Sequence, residues 1–585
     1  MVLENVELTL IDSMEDIFDM FRWLSNSRPY HALGVDTETT GLDVFTDEIR
    51  LCQIGDGTHG WAFDWSKWRG LFEDIVRRWD GDYIFHNAPF DITFFDKAGI
   101  HIPRAKIHDT MVQARIVEPH MSMALKTQAS RHIDAAAGSL QGELASTAWT
   151  WTTVPIDYEP YWTYGALDPV LAYKLHEHHY ENVMRNAPKA YELEMAILWI
   201  VVRMREYGVH IDREYAKDKQ DKFLAYCNDV EQWCKSRYNI GPGSNQAIIN
   251  ILREDGITFE KTTKSGALSL DGDVLEGIDH PLASAVLNRR KALKMSSTYL
   301  RFYVEEADSN DLIHPTFNSL GAKTSRMSCS NPNLQNLPRL GTNKFGDVVR
   351  NCITTRYDNG SLMMCDFDQI EMRILAHIAR EPAMIEAFKS GGDFFVNLSR
   401  QLFDDPTIQK KDKRRQITKN AAYATVYGSG VRKFAQTAGI PESQGREFMN
   451  RWNISYPHVK ALSNDTIRQA QLNKQTTGLT SAVSPLTNRL FVADDDKPYA
   501  LVNYMIQGSA AEVNKMKLVE LDSAGLGKHM FASIHDEVLL DVPRDDIEDV
   551  ATTLHDIMND NKILDVPVTA GISWGKRWGQ KVDWE

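Results

Sequence analysis

The stretch SIHDEVLLDV, residues 533–542, sets three titratable side chains in a row, His535, Asp536 and Glu537, inside an otherwise apolar run. The flanks MFASI and VLLDV have the composition of two short strands. Two readings of the triplet stand side by side. It is a solvated turn between the strands, or it delivers carboxylates to a metal ion. The choice depends on whether other acidic residues in the chain are placed to join it.

Residues 361–379, SLMMCDFDQIEMRILAHIA, supply a candidate. The apolar strand LMMC runs into Asp366, and a segment of helical period follows. Asp366 then sits at a strand end, where its carboxylate can point into a cleft, while Asp536 sits at the turn of another strand. If the two strands are neighbours, the carboxylates share one site. Between them lies a basic run, KKDKRRQITK at 410–419, with six Lys/Arg against one Asp. A charge run is by default a solvated helix face. Here Arg415, Lys419, Tyr423 and Tyr427 recur every four residues, which places them in one stripe along a helix. A packing face is rarely Arg-Lys-Tyr.

These segments resemble the motifs of the family A (polymerase-I-like) DNA polymerases: DFDQIEMR is similar to motif A, RRQITKNAAYATVYG (414–428) to motif B and SIHDEV to motif C. The resemblance implies that Asp366 and Asp536 bind two divalent ions for nucleotidyl transfer, with the Phe367 carbonyl as a further ligand and Glu537 supporting the site. It implies nucleotide contacts from Arg415, Lys419, Tyr423, Tyr427, Gly428, Glu371 and His535. Arg415 and Lys419 meet triphosphate oxygens at a helix N-terminus whose dipole adds to them, and Lys419 can protonate the leaving pyrophosphate. Tyr423 stacks on the base or sugar, Glu371 crowds a ribose 2′-hydroxyl, and His535 meets the primer terminus. TSRMSCSNPNLQNLP (324–338) resembles the template–primer segment, so Arg326, Gln335 and Asn336 are expected to face DNA. NYMIQGSAAE (503–512) resembles the helix that reads the minor groove, with Asn503 and Gln507 testing pair geometry where acceptors are common to every base pair.

A second acidic set lies upstream. HALGVDTETTGL (31–42) reads as a buried strand, with Asp36 and Glu38 on one face. Two adjacent like charges are costly unless a cation lies between them. HNAPFD (86–91) ends in Asp91, and YGALD (164–168) sets Tyr164 and Asp168 four apart on a helix. In this order the three segments resemble the motifs of the DEDDy 3′–5′ exonucleases, whose fold is ribonuclease-H-like. By that resemblance Asp36, Glu38, Asp91 and Asp168 hold two hard divalent ions and Tyr164 orients the attacking water. The implied cofactor is Mg²⁺, two ions per active site, with Mn²⁺ the alternative.

The resemblance covers nearly the whole chain and fixes the expected fold class: a multidomain α/β and α+β protein, with a ribonuclease-H-like exonuclease domain followed by a thumb–palm–fingers hand. The exonuclease domain is expected over 1–188 and the polymerase over 189–585, with the thumb at about 191–310, the palm at about 311–380 and 480–585, and the fingers at about 381–479. Residues 49–64 read as a hairpin, RNAPKAYELE (185–194) as the domain boundary, and 241–272 as a loop-rich interruption of a helical region. Tyr423 stands where many relatives carry phenylalanine, which implies acceptance of dideoxynucleotides. Ala424 replaces a frequent glycine, and Tyr499 a frequent arginine.

The bulk composition agrees. A chain of 585 residues is too long for one core. The net charge of −15 argues against a generic nucleic-acid coat but not against an enzyme rich in catalytic carboxylates. Six scattered cysteines form no zinc spacing and suit a reducing cytosol with free thiols; the resemblance implies that this is the cytoplasm of a bacterium or of a phage-infected host. MVLENVELTL has no basic region of a secretory signal, and no run approaches a membrane helix. Primer–template DNA and dNTPs are the expected partners of a monomer that has no thioredoxin-binding insertion in its thumb and no room for a 5′-nuclease domain. By analogy it is a phage replicative enzyme. The competing readings are a 3′–5′ exonuclease whose C-terminal region only grips DNA, a non-catalytic DNA-binding subunit, and an RNA polymerase on the same hand, against which Glu371 argues.

Overall fold

A computed structural model describes residues 3, 5–26, 31–138, 148–259, 261–263, 265–560 and 562–584. The N-terminal unit is built on a six-stranded mixed sheet. Its strands run Glu7–Ile11, His59–Asp64, Ile49–Gly55, Ala32–Thr39, Asp82–Phe85 and Ile107–Asp109 across the sheet. The hairpin expected at 49–64 is the antiparallel pair at its middle. The Ala32–Thr39 strand pairs antiparallel with Ile49–Gly55 and parallel with Asp82–Phe85, so it is covered on both edges. Its residues are buried almost throughout, as expected for a central strand with helices on its faces.

The long helix Glu159–Asn186 lies directly on this sheet. Two glycines permit the approach. A Cβ at Gly34 would meet the Pro169 carbonyl oxygen at 2.1 Å, and one at Gly60 the Ala166 carbonyl oxygen at 2.0 Å. Only hydrogen fits in those gaps, so the helix backbone rests against the strands.

After Ala187 the chain enters the helix Pro188–Tyr207, whose proline occupies a first-turn position where no amide bond is lost. The boundary read from 185–194 falls here, but the helix is no free linker. Met195 and Trp199 pack against the N-terminal core, while Leu193, Ile197 and Met204 belong to the large C-terminal core. Its Glu194, fully buried, pairs with Arg489 and accepts from Lys515 Nζ at 2.5 Å. The two units therefore share one helix and one buried charge cluster.

The C-terminal unit is organised by a five-stranded antiparallel sheet in the order Met530–Ile534, Glu537–Val542, Ser361–Phe367, Ala570–Arg577, Gln580–Asp583. The helix Ala500–Ser523 is buried over most of its length. Helices Lys413–Val426, Val431–Ala438, Glu442–Ser455 and Pro457–Thr477 pack each against the next, and Arg213–Tyr238 packs with Pro281–Lys294. The 241–272 stretch is less loop-like than its glycines imply. It contains the helix Asn245–Glu254, capped by Ser244 and buried through Ile248, Ile249 and Leu252. All six cysteines are buried free thiols. Among the described residues no helix is long and apolar enough to cross a membrane.

Candidate active sites

In the N-terminal unit, strand alternation sets Asp36 and Glu38 on the face that receives the helix Glu159–Asn186. The close approach at Gly34 and Gly60 brings Asp168 down onto them. One ligand atom from each of Asp36, Glu38 and Asp168 lies within 4.8 Å of the others, the one such group of three or more among the described residues. Asp91, in the first turn of the helix Ala88–Lys97, accepts from Thr37 Oγ1 at 2.7 Å. Burial, then the neighbouring carboxylates, pushes Asp36 and Glu38 well above the usual carboxylate range. Burial raises Asp91 to about 7 and Asp168 upward as well. Four carboxylates, two of them raised by the others, form a cation-seeking site, and an all-oxygen donor set fits a hard divalent ion.

Tyr164 stands one turn before Asp168, its phenol pushed up by burial and by Asp168, Glu38 and Asp36. Sequence reading missed two neighbours. Lys126, from the helix Leu125–His132, pairs with Asp168, and its Nζ lies 4.1 Å from the Tyr164 ring centre. Buried Asp109 accepts from the backbone N–H of Ala88 at 2.7 Å and of Asn87 at 3.2 Å, and so fixes the turn that aims Asp91. Neither stands in a run with a pattern of its own, so no local signal marks either residue.

In the C-terminal unit the two strands named in the condition are neighbours. Strands Ser361–Phe367 and Glu537–Val542 are antiparallel neighbours, with Asp366 opposite Glu537 and Asp536 in the adjoining turn. His535, at φ 58°, turns the chain in the left-handed region. Asn514 supports that turn, donating to Ser533 Oγ at 3.2 Å and to the His535 carbonyl at 3.4 Å. Gln335 closes it from the other side, its carbonyl 3.0 Å from His535 Nε2. Burial, then Glu537 and Asp536, holds Asp366 up at about 7. Burial also raises Asp536, against the pull of Arg326. Phe367 is buried and pairs with Ala570.

The helix Lys413–Val426 carries the stripe expected of it, with Tyr427 as its cap residue. Arg415 Nε donates to Asp393 Oδ2 at 3.0 Å. Phe395 backs the stripe, 5.8 Å from Lys419 Nζ and 5.9 Å from the Tyr423 ring. Lys419 is lowered by burial, then by Arg339 and Arg415. Arg339, exposed just beyond the 324–338 segment, is a cation that sequence reading passed over. Tyr423 is raised by burial, then by Glu371 and Asp536, so the helix faces the carboxylates. Glu371 is clamped: Arg326 Nη2 donates to it at 2.5 Å, and the Tyr427 hydroxyl donates to its other oxygen. Arg326 is thus engaged within the protein rather than free at the surface. Asn503 and Gln507 lie one turn apart near the start of the helix Ala500–Ser523, half-buried, with Gln507 beside Tyr427. Gly428, at φ 72°, abuts the Tyr499 ring, and Asn336 is exposed.

Residues 210–580 match the family model for DNA polymerase family A, and residues 9–179 that for a 3′-5′ exonuclease. The chain belongs to DNA polymerase family A. It is a polymerase of that family with a 3′–5′ exonuclease domain. Among curated proteins it is 26% identical to the DNA polymerase of Mycobacterium phage D29 and 25% to that of Mycobacterium phage L5, each alignment covering 98% of both chains. It is 28% identical to DNA polymerase I of Bacillus subtilis over 66% of this chain and 45% of that one. A solved structure of the POL domain of Pol1 from M. smegmatis, in complex with DNA primer-template and dNTP, superposes with a TM-score of 0.81 at 21% identity. It covers 98% of this polymerase and 99% of that chain. The fold is therefore shared from end to end.

Proposed function

We propose that this polymerase adds dNMPs to a primer 3′-hydroxyl on a DNA template at the Asp366–Asp536 site, and removes 3′-terminal nucleotides at the Asp36–Glu38–Asp91–Asp168 site. The observation that carries the reading is the pairing of strands 361–367 and 537–542. It brings two carboxylates distant in sequence to one edge, opposite a helix stripe of Arg415, Lys419 and Tyr423. Asp366 and Asp536, with the Phe367 carbonyl, would hold two Mg²⁺ ions, as would the four upstream carboxylates; Mn²⁺ is the alternative. Such ions supply activation of the attacking oxygen and stabilisation of the leaving one.

The chain's own residues do the rest. Arg415 and Lys419 bind triphosphate oxygens, and Lys419, its pKa lowered by burial and by neighbouring cations, is placed to give a proton to the leaving pyrophosphate. Tyr423 and Tyr427 wall the nucleotide, with Gly428 at the turn beyond them. Glu371, held from both sides, crowds a ribose 2′-hydroxyl. Gln335, Asn336, Arg326, Asn503 and Gln507 line the primer–template path, and His535 meets the primer end. Tyr164 orients the water in the exonuclease site. We assign the enzyme to phage replication in the host cytoplasm, acting as a monomer, with domain limits as read from the sequence.

The test is extension of a 5′-labelled primer on a longer template with Mg²⁺, comparing wild type, Asp536→Asn and Asp36→Ala. The expected result is loss of extension alone in Asp536→Asn and of shortening alone in Asp36→Ala. A wild type that shortens the primer and never extends it overturns the reading in favour of an exonuclease with a DNA-gripping C-terminal region.

A further inference from the structure

The edge strand Gln580–Asp583 begins at the last residue that matches the polymerase family, 580, and runs beyond it. It pairs antiparallel with Ala570–Arg577, and the Trp584 N–H donates to the Ile572 carbonyl at 2.9 Å. The Trp574 and Trp584 rings meet nearly edge to face, with centres 5.6 Å apart. The strand is thus held on either side of Lys581, where its register shifts. From it Lys581 sends its Nζ to Glu537 Oε1 at 3.1 Å. Glu537 is three strands further in, directly opposite Asp366. Asp366 is itself opposite Gly571, where an added Cβ would meet nothing within 4 Å. A glycine at that position leaves open space beside Asp366. The charge of Lys581 also works against the upward push that burial, Glu537 and Asp536 exert on Asp366.

We propose that Lys581 is a positioning residue of the polymerase site: by holding Glu537 in an ion pair, it keeps that carboxylate off the divalent ions and leaves them to Asp366 and Asp536. This rests on the assignment of Asp366 and Asp536 as the metal-holding pair. The physical argument is one of ligand count and charge. Three carboxylates stand at this end of the sheet. Divalent affinity rises with the number of carboxylates free to bind. A lysine committed to one of them sets that number at two. Without it, Glu537 becomes an unpaired, largely enclosed carboxylate beside Asp366, and the local potential turns more negative.

The test uses the full chain with Asp36→Ala and Glu38→Ala, so that the exonuclease carboxylates do not compete, and follows Mn²⁺ binding by the electron paramagnetic resonance signal of the free ion. Lys581→Met and Lys581→Gln are expected to bind Mn²⁺ roughly three- to tenfold more tightly than the parent. Lys581→Arg is expected to match the parent. So is Lys576→Met, which removes a lysine of the neighbouring strand that donates to the Asp358 carbonyl. If both neutral variants melt at a lower temperature yet bind Mn²⁺ as the parent does, Lys581 is a staple for the edge strand and the proposal falls. If Asp366→Asn leaves Mn²⁺ binding unchanged, the assignment of the metal-holding pair falls, and the proposal with it.

Discussion

Replacing Gly34 by alanine should separate the two activities from a position that touches neither substrate. The added Cβ would lie 2.1 Å from the Pro169 carbonyl oxygen and 3.2 Å from Pro169 Cα, where ordinary contact begins at 3.4 Å. The obstacle is backbone, with no flexible side chain to swing aside. The helix Glu159–Asn186 must therefore retreat from the sheet by about 1 Å at its contact with Gly34, a small-to-large strain of about 1–3 kcal/mol. Asp168 immediately precedes Pro169, so it retreats too, away from Asp36 and Glu38. A misplacement of about 1 Å in a catalytic constellation costs about 100-fold in rate. The Asp366–Asp536 site lies on another sheet and feels nothing of this. The assay is degradation of a single-stranded oligonucleotide and extension of a primer by the same preparation. We expect shortening to fall about 100-fold while extension stays within about twofold. Shortening that survives within about threefold in a folded variant would refute the argument that helix-to-sheet distance sets the site. Equal loss of both activities would mean that the strain is not local.

Three further outcomes follow from buried or clamped groups. Glu194→Gln leaves Arg489 and Lys515 buried with their main counter-charge gone, and should cost about 3–5 kcal/mol in urea unfolding; a loss below about 1 kcal/mol would mean the cluster is better hydrated than its burial indicates. Glu371→Ala, which removes the carboxylate held by Arg326 and Tyr427, should raise the efficiency of ribonucleotide incorporation relative to deoxyribonucleotide about tenfold or more; an unchanged ratio in single-turnover kinetics would remove Glu371 from sugar selection. His176 and His179 are fully buried and lowered by burial to about 3 and about 4, below an unfolded value near 6.5. Between pH 6.5 and 4 these two side chains bind protons in the unfolded chain and not in the folded one, so their contribution to stability falls as the pH falls, by up to about 1.4 kcal/mol per unit for each. The raised carboxylates act in the opposite sense in wild type and variant alike, so the measurement is the difference between them: from pH 7 to 5 the melting temperature of wild type should fall relative to that of His176→Asn, and parallel profiles would show that this ring is not held neutral.

What the sequence determined by itself was local and periodic. Alternation in DTE put Asp36 and Glu38 on one face, and the four-residue recurrence from Arg415 to Tyr427 put four side chains along one helix. The apolar flanks of HDE set a turn between two strands. Each follows from the backbone repeat of a single element, and the structure has all three where the pattern put them. Periodicity names a face but not what meets it. That the 361–367 strand lies between 537–542 and 570–577, with Asp366 opposite Glu537 on one side and Gly571 on the other, was decided by strand order in a sheet assembled from distant segments. Lys126 beside Asp168, Asp109 beneath the 86–91 turn and Lys581 across from Glu537 reach their places only through such pairings, because each is an isolated charge in a segment with no pattern of its own. Glu194 reads in the sequence as one more polar residue of an amphipathic helix. Only the closing of the two units around that helix, which expels water from every side of it, makes its carboxylate the counter-charge of Arg489 and Lys515.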